Sequence, residues 1–76
     1  MPTVFIINGV RFYFYSREET RMHIHVAFQG RESKIWLDTF DVAYNHGFKL
    51  REMRRILIIV RKHEKILKKA WNSHFG

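Results

Sequence analysis

The sequence predicts an α+β domain in which an antiparallel β-meander of four to five strands packs against one long C-terminal amphipathic α-helix. Two observations lead to this prediction. The first half of the chain is rich in strand-forming residues separated by turn dipeptides, whereas residues 49–73 lack Gly and Pro and repeat apolar side chains at helical spacing. The 76 residues suffice for one domain, with the sheet expected over about residues 3–44 and the helix over about 49–73.

The first hairpin is predicted from Asn8-Gly9, the clearest turn signal in the chain. This dipeptide separates residues 4–7 from residues 10–15, both of which are rich in β-branched and aromatic side chains. It favours a two-residue type I′ turn, because both central residues of that turn take a positive φ. A polar loop over residues 16–20 is expected to follow the hairpin.

The third strand is predicted from the alternation of apolar and polar side chains over residues 22–28. Ile24 and Val26 share one face, so His23 and His25 are expected on the other.

Two further strands are expected before the helix. Residues 29–32 predict a turn and residues 34–37 a fourth strand. Residues 42–44 are compatible with a short edge strand, and residues 45–47 with the turn that ends it.

The predicted helix has one apolar and one basic face. With Met53 at 0° and about 100° per residue, an arc of about 60° on either side holds Ile56, Leu57, Val60, Leu67 and Trp71. Together with Ile59, Ile66 and Ala70 this arc is wide enough to cover one face of a sheet. The meander supplies that face from Phe12, Phe14, Ile24, Val26, Ile35 and Leu37.

Composition excludes several classes of protein. Cysteine is absent, which excludes disulfides and thiolate metal sites, and the sequence predicts no cofactor. The sequence contains no apolar run of about 18 residues, so it predicts no membrane span. The N-terminus also lacks the layout of a signal peptide, and both observations favour a cytoplasmic location.

The charge is concentrated in the helix. The net charge is +7, and the last 28 residues hold nine basic and two acidic side chains. Cations on one face repel one another unless an anion meets them. Such a face suits RNA or DNA, or an acidic cognate protein, although a solubilising surface remains an alternative. The residues of this basic face are Arg51, Arg54, Arg55, Arg61, Lys62, Lys65, Lys68 and Lys69.

A second candidate surface is the outer sheet face, defined as the face opposite the helix. Aromatic side chains interleaved with cations suit single-stranded nucleic acid, and they are equally typical of a protein interface or of intramolecular packing. The candidates are Arg11, Tyr13, Tyr15, Arg21, Lys34 and Trp36.

His23 and His25 are the candidate catalytic residues. One imidazole can be neutral and the other charged near pH 7, so the pair could cleave RNA as acid and base. The pair could also bind Zn²⁺ if Glu18, Glu19 or His46 supplied a third ligand. Structural pairing with tyrosines or a carboxylate is the remaining interpretation.

Several motifs match those of a known family in order and spacing. They are MPTVF at residues 1–5, RFYFYS at 11–16, HIHV at 23–26, KIWL at 34–37, REMRRI at 51–56 and AWN at 70–72. On these motifs the chain resembles the bacterial "domain of unknown function 4160" family. The resemblance implies a small bacterial cytoplasmic protein with a cognate partner of toxin–antitoxin type, and it implies no chemistry. The family usually has Pro-Pro before its His-x-His motif, whereas Arg21-Met22 stands here.

These features together predict a small interaction module of toxin–antitoxin type that contacts nucleic acid or a cognate protein, rather than an enzyme. One alternative is a ribonuclease-like enzyme in which Arg21 or Lys34 stabilises phosphate charge. Another is a regulator that binds only protein. The wide apolar arc, and Ile58 within the basic face, further predict a homo-oligomer.

Overall fold

The computed structural model describes residues 3–15 and 20–75, which form one antiparallel sheet with two helices packed on one face. The strands are β1 (Thr3–Ile7), β2 (Val10–Tyr13), β3 (His23–Phe28), β4 (Arg31–Trp36) and β5 (Val42–His46), and the helices are α1 (Leu50–Lys62) and α2 (Glu64–Phe75). The strand order is β1-β2-β3-β4-β5, so each strand pairs with its neighbours in sequence. The predicted α+β class and antiparallel meander are confirmed. Most of the predicted loop, residues 16–19, lies outside the described residues.

Two-residue turns close two of the hairpins. Asn8 and Gly9 have φ values of 51° and 80°, so both adopt the positive φ that the predicted turn requires. Gln29 and Gly30, at 47° and 78°, form a second turn of the same kind. Because Gln29 accepts a positive φ, this turn is shorter than predicted, and β4 begins at residue 31 rather than 34.

The core lies between the sheet and the helices. All six sheet residues predicted to face the helix are at most 1% exposed, which confirms that prediction. The helices contribute Met53, Ile56, Val60, Leu67 and Trp71 to the same core. Leu57, Ile59 and Ala70 are partly buried against it. The sheet of this chain therefore covers most of the apolar arc of the helices, which is one of the two features from which the sequence predicts a homo-oligomer.

The single long helix predicted from the sequence is instead two helices, separated at His63. The Nδ1–H group of His63 donates to the carbonyl of Ile59 at 2.8 Å, and that carbonyl also accepts the backbone N–H of His63 at 3.0 Å. A side chain that bonds to the carbonyl four residues back disturbs the helical ladder. The His63 ring also packs on Phe5 of β1, with 5.0 Å between ring centroids.

Side-chain hydrogen bonds fix the start of α1. Asn45 donates from Nδ2 to the Phe48 carbonyl at 2.9 Å and accepts the Phe48 N–H at 3.1 Å. Glu52 accepts the N–H of Lys49 at 2.8 Å and pairs with Arg31 of β4, also at 2.8 Å. These bonds set the orientation of α1 on the sheet, and its basic face points away from the core.

Candidate functional site

The outer sheet face carries a row of polar and aromatic side chains across four strands. In the register of the sheet, Tyr13 pairs with His25, His25 with Lys34, and Lys34 with Tyr44. Residues paired in this way have Cβ atoms about 5 Å apart on one face. The sheet thus brings tyrosine hydroxyls, an imidazole and an ammonium group together.

Glu32 organises a cluster of hydrogen bonds on this face, which we call the Tyr–Glu cluster (Tyr13, Tyr15, His25, Glu32 and Tyr44). The hydroxyls of Tyr13 and Tyr15 both donate to Oε2 of Glu32, the latter at 2.7 Å. The Tyr44 hydroxyl shares a hydrogen bond with Nδ1 of His25 at 3.2 Å. The His25 ring stacks on Tyr13, with 5.5 Å between centroids. The polar atoms of the cluster therefore bind one another.

The Tyr–Glu cluster stabilises the ionised form of its carboxylate. Partial burial alone would raise the pKa of Glu32, but hydrogen bonds from the tyrosines and the positive charge of His25 outweigh it, so the pKa is lowered. Burial raises the pKa of the Tyr13 hydroxyl far above its ordinary value, and hydrogen bonds to Glu32 and Tyr15 raise it further. Tyr13 is therefore a hydrogen-bond donor at neutral pH and not a base.

Both candidate catalytic histidines are buried. His23 is 0% exposed and His25 is 4% exposed. The Nδ1–H group of His23 donates to the Arg21 carbonyl at 2.6 Å, and its ring centroid lies 4.8 Å from that of Trp71 in α2. A catalytic acid or base must reach the proton that it transfers. This geometry gives no support to a ribonuclease-like role. Strand alternation indicates the face of a residue but not the aromatic neighbours that cover it.

The described residues offer these histidines no third metal ligand. Within residues 3–15 and 20–75, no three His, Cys, Asp or Glu side chains are grouped so that they could hold a metal ion. The ring of His46 stacks on Tyr44, with 4.7 Å between centroids. Glu18 and Glu19, the other candidates, lie outside the described residues.

The remaining candidates on the outer sheet face pair with aromatic rings of the same chain. The Arg21 guanidinium lies 4.2 Å and the Lys34 ammonium 4.5 Å from the centroid of Trp36. The Arg11 guanidinium lies 4.4 Å from the centroid of Tyr13. These cation–π contacts involve the rings of Tyr13 and Trp36, two of the aromatic side chains that were candidates for stacking on bases.

The basic face runs along α1 and α2. Glu52 and Glu64, the only acidic residues of the two helices, are already paired with Arg31 and Lys68, at 2.8 Å and 2.7 Å. Seven exposed cations of the two helices therefore have no ion pair within the described part of the chain. They are Arg51, Arg54, Arg55, Arg61, Lys62, Lys65 and Lys69.

Glu32 and Tyr44 are the cluster residues that sequence reasoning missed. The sequence predicts a turn over residues 29–32, which includes Glu32. Once the turn is confined to Gln29-Gly30, period-two alternation from Arg31 places Glu32 on the outer sheet face. Residues 42–44 predict an edge strand, but nothing in the sequence around Tyr44 indicates its bond to His25.

Comparisons with known proteins give one family. A family model described as a domain of unknown function (DUF4160) matches residues 9–72. No curated protein and no solved structure matches the chain. In the part of the chain that the structure describes, no helix is both long and apolar enough to cross a membrane.

Proposed function

The chain belongs to the family of the domain of unknown function DUF4160, and we propose that this member binds nucleic acid through the basic face of α1 and α2. The seven exposed cations without an ion pair among the described residues carry the proposal. Their mutual repulsion destabilises the domain unless an anionic partner is bound. The phosphate backbone of a nucleic acid supplies anions in a regular row.

The charge distribution favours a binding face over a merely solubilising one. A solubilising surface mixes charges of both signs. Here the residues before position 49 are balanced in charge, and the whole excess of +7 lies on the helical segment. Both helical carboxylates are used to fix Arg31 and Lys68, so they do not neutralise the seven cations.

The outer sheet face is the weaker candidate for this contact. The hydroxyls of Tyr13 and Tyr15 donate to Glu32, and the ring of Trp36 is flanked by Arg21 and Lys34. A base that stacks on a protein ring needs that ring free. The side chains of this face instead satisfy one another.

Fluorescence anisotropy with labelled RNA and DNA, measured over a range of salt concentrations, tests the proposal. Arg55→Gln and Lys34→Gln remove the same charge from the helix face and the outer sheet face. We expect Arg55→Gln to weaken binding and to reduce the salt slope by about 1, and Lys34→Gln to change neither. If the two variants weaken binding equally, or if removing Arg54, Arg55, Arg61 and Lys62 together has no effect, the helix face is not the site.

The toxin–antitoxin setting that the family resemblance implies belongs to the same proposal. A cognate protein with an acidic surface would occupy the basic face and compete with nucleic acid for it. The protein encoded next to this one is therefore added to the preformed nucleic-acid complex. Displacement is the expected result. Binding to that protein with no binding to RNA or DNA would show that the domain is a protein-binding regulator. Light scattering on the same samples tests the predicted homo-oligomer.

A further inference from the structure

The centre of the basic face on α1 is an exposed isoleucine. The side chain of Ile58 is 65% exposed. Residues three and four positions away are its neighbours on the helix surface. Every one of those positions holds an exposed cation: Arg54, Arg55, Arg61 and Lys62. Phosphate contact alone does not explain an apolar side chain at this place, because an isoleucine gains nothing from an anion.

The four cations form two rows, one on either side of Ile58. At about 100° per residue, Arg54 and Arg61 lie about 40° and 60° to one side, and Lys62 and Arg55 lie about 40° and 60° to the other. The two members of each row are seven residues apart, or about 10 Å along the helix axis. A complementary partner presents two lines of negative charge with an uncharged strip between them.

We propose that α1 lies in the major groove of duplex DNA, with Ile58 on the base edges and the two rows of cations on the phosphates of opposite strands. This inference rests on the proposed function, since it names the nucleic acid that the basic face takes. The major groove is about 12 Å wide, and a helix with its side chains is about 10–12 Å in diameter. The thymine methyl group is the apolar feature of that groove.

Other nucleic acids fit this arrangement less well. The major groove of an RNA duplex is too deep and narrow for side chains to read. A single strand has one phosphate backbone and leaves one row of cations without a partner. Arg61 also contacts the ring of Phe40, at 5.0 Å from the guanidinium to the centroid, which holds one member of its row in place without neutralising it.

The test compares three duplexes at one salt concentration by fluorescence anisotropy. They are an A·T-rich DNA, the same DNA with uracil in place of every thymine, and the RNA duplex of the same sequence. We expect binding to the thymine DNA to be tighter than to the uracil DNA by about fourfold for each methyl group contacted, and binding to the RNA duplex to be weaker still.

Ile58→Ala and Ile6→Ala form a matched pair of variants. Ile6 is 63% exposed and lies on β1, away from the helix face. We expect the preference for thymine to disappear in Ile58→Ala and to persist in Ile6→Ala. Equal affinity of the unmodified protein for the two DNA duplexes, or a preference that survives Ile58→Ala, would overturn the inference. Binding to RNA but not to duplex DNA overturns this inference and leaves the proposed function standing, whereas binding to neither overturns both.

Discussion

The hydroxyl of Tyr15 donates to Oε2 of Glu32 at 2.7 Å, and the bond spans the strand that separates their two segments. Tyr15 follows β2, Glu32 lies on β4, and β3 runs between them. Tyr13 of β2 donates to the same oxygen. One carboxylate therefore links segments that share no backbone hydrogen bonds, and the outer sheet face gains a fixed arrangement of side chains.

Replacing this carboxylate should destabilise the domain. Hydrogen bonds to a charged acceptor contribute about 1.5–3 kcal/mol each, so we expect Glu32→Gln to lower the free energy of unfolding by about 1–3 kcal/mol. Urea denaturation measures the change. Asp41→Asn removes the same charge from an exposed residue and should change stability by less than about 0.5 kcal/mol. Equal losses in the two variants would show that the cluster contributes nothing beyond net charge.

The stabilisation by Glu32 should depend on pH. Its pKa in the folded state lies below the ordinary value of 4.5, so the unfolded state binds the proton first as pH falls. The contribution is complete above 4.5 and is lost as pH falls through the folded-state pKa. Thermal melts over a pH series should therefore show the unmodified protein and Glu32→Gln converging in acid. A difference that stays constant with pH would contradict the lowered pKa.

The two hairpin glycines should respond differently to alanine. Gly9 and Gly30 have φ values of +80° and +78°, and a side chain in this conformation costs about 1–2 kcal/mol. A Cβ atom at Gly9 would also lie 3.2 Å from Cε1 of Phe28, whereas at Gly30 it would meet nothing within 4 Å. We therefore expect Gly9→Ala to lower Tm more than Gly30→Ala. Equal shifts in Tm would mean that the Phe28 ring moves aside without cost.

Trp71 should be the most sensitive position on α2. Its ring contacts Phe14, His23 and Phe75, with centroid distances of 5.5, 4.8 and 4.2 Å. Loss of a buried tryptophan costs about 3–5 kcal/mol, which is comparable to the whole stability of a small domain. We expect Trp71→Ala to melt at a much lower temperature than the unmodified protein, as followed by circular dichroism. Ile66→Ala, at an exposed site on the same helix, should change little.

Local signals predicted most of the fold. Alternation with period two located the strands, Asn8-Gly9 gave the first turn, and helical periodicity selected the side chains that α1 and α2 bury. These patterns depend on the chain within a few residues of each position. For the same reason, the face of His23 and His25 could be predicted but their burial could not, because Tyr13, Tyr44 and Trp71 cover them from other segments.

Two features were not predicted from these patterns. The separation of α1 from α2 involves the bond from His63 to Ile59 and the packing of the same ring on Phe5 of β1, and neither is visible in helical periodicity. The place of Glu32 depended on the length of one turn. The turn is two residues shorter than predicted, and Glu32 therefore lies on β4 in the centre of a hydrogen-bonded cluster instead of in an exposed turn.

The order of the sheet has a consequence for how the chain is made. Each strand after β1 pairs with the strand that precedes it, so each pair can form as soon as its second strand has been made. A chain leaving the ribosome can therefore build its sheet in the order of synthesis. The cationic helices follow the sheet in the chain, so the apolar sheet face can form before they pack on it.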